Sequence, residues 1–262
     1  MNLIPDSPST AELFFDYVQN TPQHVFAKFN GRELTAKELH DSVQDTVRQL
    51  RDLGIESGDR VAYMLDNNLD LIVLIFSLML IGSIQIPINT KLRNDSLKFI
   101  VSHCEAKLIL AEKSYQSILT PFVSPQLADK LIYRHSQYSF QWHNPKHGYS
   151  TVVVKNEALG ADDVQFILYT SGTTGEPKGV LVTDRMLRAA ADACAQTSSA
   201  SANDRFLLWE PLFHIGALQI LPLVLLKHIS LILVPTFSAS QFWECVRSEG
   251  VTKIHFLGGL LQ

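Results

Sequence analysis

Hydrophobic positions along this chain switch between two periods. In TAKELHDSVQDTVRQLRDLG, Leu39, Val43, Val47 and Leu50 recur at helical spacing. Thr35 stands as the N-cap with Glu38 three residues on, the spacing of a capping box, and Gly54 closes the helix. Shorter apolar runs follow. DRVAYML from Asp59, SIQIPI, AKLILA and KLIYR read as strands, LDLIVLIFSLMLIG as a buried helix and KSYQSILTPF as a helix-like connection. Strand and helix in alternation predict an α/β architecture built on a mainly parallel sheet.

The stretch Arg134–Asp163 breaks the rhythm. It is polar, spotted with aromatics and interrupted by Pro145 and Gly148, so it predicts a connection between two subdomains, 1–150 and 151–262. The alternation then resumes with strand VQFILY, a hydroxyl-rich loop, strand GVLVT, helix RMLRAAADACAQ and strand RFLLWE. A helical run IGALQILPLVLLKH, strand ISLILVP, helix SASQFWECVRSEG and strand TKIHFLGG complete it. The last strand runs to Gln262 with neither a cap nor a further layer, which predicts a fold incomplete at its C-terminus. No repeat of fixed period and no low-complexity tract interrupts the pattern.

Composition narrows the partners. The 262 residues are 46% hydrophobic and 18% charged, enough apolar material for a packed interior. With 22 basic against 26 acidic side chains, the net charge of -4 leaves no broad basic surface for a nucleic acid. Cys104, Cys194 and Cys245 are odd in number and widely spaced, a pattern for buried free thiols in a reduced, cytoplasmic protein. No Lys or Arg precedes Lys28, so no secretory leader is expected. Leu69–Ile88 is the most apolar stretch, but Gly82, Gln85 and Pro87 divide it. A buried helix running into a buried strand explains it better than a membrane span of roughly 20 residues. Trp209 and Trp243 are expected in the core, and His135, His143 and His147 in a solvated loop, since Pro145 spoils helical ligand spacing.

The chemistry concentrates in TSGTTGEPKG. Thr170, Ser171, Thr173 and Thr174 supply hydroxyls, Gly172, Gly175 and Gly179 leave backbone amides unobstructed, and Lys178 supplies one positive charge. Those are the parts of a phosphate cradle, placed directly after a buried strand. A solvated glycine-rich turn is the competing reading. A Walker A loop is excluded, because Pro177 precedes Lys178, Gly179 follows it, and the next residues are strand-like. The loop therefore joins two strands and borrows no helix dipole. His214, between Phe213 and Ile215, reads either as a satisfied core histidine or as a functional one.

ILYTSGTTGEPKGVLVT resembles the signature loop of the adenylate-forming enzymes: acyl-CoA synthetases, luciferases and peptide-synthetase adenylation domains. The likeness extends through the segment from LGIESGDRVAYML to LKFIVSHCEAKLILA, through EPLFHIGAL and through FSASQFWECVRSEGVTKIHFLGG. Within the superfamily it is most similar to medium-chain, fatty-acid and carnitine/crotonobetaine CoA ligases. The resemblance implies a fold of two packed, mainly parallel sheets flanked by helices. It implies ATP, Mg²⁺ and coenzyme A as reactants or cofactors and a small-molecule carboxylic acid as substrate. Thr170, Ser171, Gly172, Thr173, Thr174, Gly175 and Lys178 would hold the β- and γ-phosphates. His214 would lie near the reacting carboxylate, and Ile215, Gly216 and Ala217 would border the acyl group. Amino-acid-activating relatives carry Asp where this chain has His214, so an acid lacking an α-amine is expected.

Parts that the resemblance requires do not occur in the chain: the adenine-contacting stretch with its Mg²⁺-binding Glu, the ribose-binding Asp, and the small C-terminal domain. We therefore expect the N-terminal portion of an acyl-CoA synthetase, inactive alone and prone to self-association through an apolar sheet edge. The alternative is a short, non-catalytic relative acting as a binding module. Phosphotransfer of the kinase type lacks its acidic metal motif.

Overall fold

A computed structural model describes residues 8–134, 160–170 and 176–255. In chain order, the capped helix α1 (Thr10–Asn20) leads into strands β1 (Val25–Phe29) and β2 (Arg32–Thr35) and helix α2 (Ala36–Asp52). Then come β3 (Arg60–Met64), α3 (Leu69–Ile81), β4 (Ile84–Pro87), α4 (Asn94–His103) and β5 (Leu108–Glu112). Short turns α5 (Gln116–Leu119) and α6 (Pro125–Ala128) precede β6 (Leu131–Arg134). Strands β7 (Val164–Thr170) and β8 (Lys178–Thr183) flank the hydroxyl-rich loop, and α7 (Asp184–Ser198) and β9 (Arg205–Leu208) follow. Helices α8 (Ile215–Leu218) and α9 (Ile220–Lys227), strand β10 (Ser230–Leu233), helix α10 (Phe242–Ser248) and strand β11 (Lys253–Ile254) end the described chain.

Local signals place the starts of two helices. The Thr35 hydroxyl accepts from the Glu38 amide at 3.2 Å, and the Glu38 carboxylate accepts from the Thr35 amide at 2.9 Å. Those bonds satisfy donors that the first turn of α2 would otherwise leave orphaned, and they hold the Glu38 carboxyl below its ordinary range. Ser9 and Glu12 repeat the device at α1. Between β1 and β2, Asn30 and Gly31 both take left-handed backbone, φ 50° and 78°, as a two-residue hairpin turn demands.

Two compact units interleave along the chain. One comprises Met1–His40, Asn67–Leu69 and Arg185–Gln262, the other Asp41–Asp66 and Asp70–Asp184. The first unit holds a five-stranded sheet in the order β11-β9-β10-β1-β2, in which only the β1–β2 pair is antiparallel. The second holds a six-stranded sheet in the order β6-β5-β3-β4-β7-β8, in which only β7–β8 is antiparallel. The α/β class with two mainly parallel sheets flanked by helices is thus what the chain adopts. On one face of the second sheet Ala62, Met64, Ile86 and Ile109 pack with Leu97, Ile100 and Val101 of α4. Beyond Asp70 in its first turn, helix α3 is apolar on every side and buried, and Ser77 within it satisfies its hydroxyl by donating to the Val73 carbonyl at 2.7 Å. Among the described residues no helix is long and apolar enough to cross a membrane.

Some expectations fail for physical reasons. KSYQSILTPF does not make one helix but short turns, with Pro121 inside the last of them. IGALQILPLVLLKH divides into α8 and α9, because Pro222 has no amide to give the Leu218 carbonyl one turn back. Trp243 is 61% exposed rather than in the core. Only Cys104 is buried, Cys194 and Cys245 being half-buried. His135, His143 and His147 lie outside the described residues.

Candidate functional site

Strand β7 carries the chain to the loop from inside the second sheet, with β4 on one side and β8 on the other. The β7–β8 register pairs Tyr169 with Gly179 and Thr170 with Lys178, so the connection spans 171–177. Facing residues of an antiparallel pair have Cβ atoms roughly 5 Å apart. Thr170 and Lys178 therefore face each other across the loop mouth, and both residues are exposed. Ser171, Gly172, Thr173, Thr174 and Gly175 lie outside the described residues. A strand, not a helix, follows the loop, so no helix terminus opens at its end.

The stem of this loop is held on both strands. A Cβ on Gly179 would come within 2.9 Å of Ile167 Cγ2 and 3.7 Å of the Tyr169 ring, so only hydrogen fits there. The Tyr169 hydroxyl bonds His103 Nδ1 at 2.7 Å, and the His103 ring stacks on Phe99 with centroids 4.9 Å apart. Burial pushes the Tyr169 phenol up to about 12, which keeps it neutral and hydrogen-bonding at physiological pH.

The other candidate residues lie in the first unit, beyond the C-terminal end of β9. Ligands of open α/β sheets bind at that end of the parallel strands. His214 is exposed and occupies the N-cap of α8 with extended backbone. Its carbonyl accepts from the Ala217 and Leu218 amides at 3.1 Å each, its amide donates to the Pro211 carbonyl at 2.9 Å, and its side chain makes no cap. The exposure removes the core-histidine reading. Ile215 is 43% exposed, Gly216 half-buried and Ala217 fully buried.

Asn67, Glu210 and His255 escaped the sequence reading. Asn67, almost fully buried, donates Nδ2 to the Glu210 carbonyl at 2.9 Å and accepts from the Leu212 amide at 2.9 Å. Glu210, 7% exposed, places Oε2 2.7 Å from His255 Nδ1. The same oxygen lies 2.4 Å from where a Gly216 Cβ would sit. Trp209, expected in the core, is half-buried against it and donates Nε1–H to the His255 carbonyl at 2.5 Å. A carboxylate between Trp209 and Pro211, at the end of an apolar strand, was the available sequence signal.

The donors at the loop mouth, one hydroxyl and one ammonium, suit phosphate oxygens. Among the described residues there is no group of three or more His, Cys, Asp or Glu that could hold a metal ion.

The family described as AMP-binding enzyme matches residues 14–262. The 2-succinylbenzoate–CoA ligase of Bacillus cereus is 26% identical over 241 residues, 92% of this chain and 46% of its own length. The long-chain-fatty-acid–CoA ligase FadD13 of Mycobacterium tuberculosis is 30% identical over 215 residues, 76% of this chain and 39% of its own length. This chain thus spans less than half the length of these relatives. Among solved structures, o-succinylbenzoate CoA synthetase from Bacillus subtilis with the acyl-adenylate OSB-AMP superposes with a TM-score of 0.82 at 23% identity, over 95% of this chain and 49% of that one. The N-terminal domain of FACL13 from Mycobacterium tuberculosis gives 0.84 at 24% identity, over 97% of this chain and 64% of that one. Similarity at that level establishes the fold.

Proposed function

Because this chain belongs to the AMP-binding enzyme family, we propose that the protein carrying it activates a carboxylic acid with ATP and passes the acyl group to coenzyme A. A carboxylate oxygen attacks the α-phosphorus, and the bond from that phosphorus to the pyrophosphate oxygen breaks. The thiol sulfur then attacks the acyl carbon, and AMP departs as the thiol proton is released. Negative charge grows on the leaving pyrophosphate, so donors fixed around it stabilise the transition state more than bound ATP.

The observation that supports this reading is the β7–β8 register, which pairs Thr170 with Lys178 at the mouth of a loop rich in glycines and hydroxyls. Thr170 and Lys178, with Ser171, Gly172, Thr173, Thr174 and Gly175, would hold the β- and γ-phosphates. Mg²⁺ would offset the remaining phosphate charge. His214, exposed at the start of α8, would orient the acid's carboxylate, and Ile215, Gly216 and Ala217 would border its acyl group. No carboxylate stands at 214 to pair with an ammonium, and Leu218 and Ile220 are apolar, which favours an acid without an α-amine. A solved B. subtilis relative with ATP and magnesium, similar at a TM-score of 0.80, supports the same nucleotide.

The test is ATP–pyrophosphate exchange by the full-length protein that carries this chain, screened over short-chain, long-chain, aromatic and carnitine-like acids. Lys178→Ala should slow exchange by a factor of about 100, the scale of one lost transition-state donor. An unchanged rate would refute the phosphate assignment.

A further inference from the structure

Strands β9 and β11 are parallel neighbours, with Ile254 beside Leu207, so the residues that follow each strand leave the sheet at the same end. Glu210 and His255 are such residues, 45 positions apart, and their side chains meet at 2.7 Å. The Glu210 side chain is 9% exposed and that of His255 31%. The charge-assisted bond therefore sits largely out of water, where it keeps more of its strength than at a surface.

The carboxylate is also where another side chain would have to be. Oε1, Cδ and Oε2 of Glu210 all lie within 3.2 Å of the position a Cβ on Gly216 would take, and Oε2 is nearest at 2.4 Å. Gly216 is the second residue of α8, the helix that His214 begins. From the backbone side, Asn67 ties the same segment at two points, the Glu210 carbonyl and the Leu212 amide. It also reaches the Val234 carbonyl at 3.4 Å, while the Val234 amide donates to Leu208 at 3.2 Å. The chain leaving β9 is thus fixed by its own carboxylate, by the chain leaving β11 and by the chain leaving β10.

We propose that Glu210 and His255 are positioning residues for the acid-binding turn. Their pair wedges the Glu210 carboxylate against Gly216 and so sets where His214, Ile215 and Gly216 stand. The proposal rests on the acid-activation reading above for the identity of the ligand, but not for the wedge. A free glutamate would swing aside for an added methyl at little cost. A carboxylate held by His255 cannot, so the pair makes glycine obligatory at 216.

Two measurements decide it. The first needs no substrate: thermal melts of Gly216→Ala in the parent and in a Glu210→Ala background. Alanine is the better helix former, so with the carboxylate gone Gly216→Ala should leave Tm unchanged or raise it. In the parent it should lower Tm by several degrees. A Gly216→Ala effect equal in both backgrounds overturns the wedge. The second uses the acid that the exchange screen selects. Glu210→Ala and His255→Ala should raise the KM for that acid about tenfold, the scale of one lost charge-assisted hydrogen bond, with the KM for ATP unmoved. Glu210→Gln, which keeps an acceptor for His255, should recover most of that loss. An unchanged acid KM, or equal rises for acid and ATP, overturns the positioning role. If the full-length protein exchanges with no acid at all, the acid-activation reading falls while the melts still decide the wedge.

Discussion

Replacing Arg134 by Gln should destabilise the second unit in a manner that depends on pH. Arg134 ends edge strand β6, where the register sets it beside Glu112 of β5. Its Nη1 donates to Glu112 at 2.9 Å, and its Nη2 and Nε donate to Asp70 of α3 at 2.7 and 3.1 Å. The Arg134 and Glu112 side chains are 11% and 8% exposed, that of Asp70 20%. Removing one partner of a buried pair costs about 3–5 kcal/mol, and the wetter Asp70 places this site near 3. For a protein of this size that corresponds to a Tm loss of about 6–12 °C. Burial already pushes the Glu112 carboxyl above its ordinary value, outweighing the pull of Arg134 in the other direction. A folded-state value above the unfolded one contributes stability at low pH that is lost as pH rises through it. Without Arg134 the value climbs further, so the variant's deficit should be largest near neutral pH. It should shrink as the pH falls below about 4.5, where Glu112 is protonated folded and unfolded. Calorimetry or circular dichroism melts between pH 4 and 8 measure it. A deficit that stays flat over that range, or a Tm loss under about 2 °C, refutes the reasoning.

Other perturbations probe the loop stem, the helix start and the sheet edge. Gly179→Ala forces a methyl to 2.9 Å from Ile167 Cγ2 and should cost about 1–3 kcal/mol in chemical denaturation. Adding Ile167→Leu, which removes that branch, should return most of it. Thr35→Ala removes the cap of α2 and should cost about 1 kcal/mol in the same assay. On edge strand β8, Val180 and Leu181 are 43% and 55% exposed. If that edge drives self-association, light scattering should find oligomers that Leu181→Lys disperses; a monodisperse parent refutes it.

How much of this was legible in the sequence follows the range of the forces involved. The Thr35–Glu38 box acts over three residues, and it appears where its spacing predicts. Asn30-Gly31 is an equally local hairpin signal, which a reading of hydrophobic runs alone passes over. Helix α4 offers no comparable start, since the Arg93 side chain at its N-cap makes no capping bond to the first turn. The strand–loop–strand frame around Lys178 was readable because two apolar runs bracket it closely. Glu210 and His255 were not, because neither residue's neighbours say what it will meet.

From the sequence alone came the α/β alternation, the family signature and the exclusion of a Walker A loop, all properties of contiguous residues. Only the tertiary structure decided which strands share a sheet. β9, β10 and β11 join β1 and β2 across well over a hundred residues, while β7 and β8 complete the other sheet. Hydrophobic period reports that a face is buried but not against what, so partner and register wait for packing. Parallel pairing of β9 with β11 then brings a carboxylate and an imidazole to one sheet end, beside a glycine that has room for no side chain.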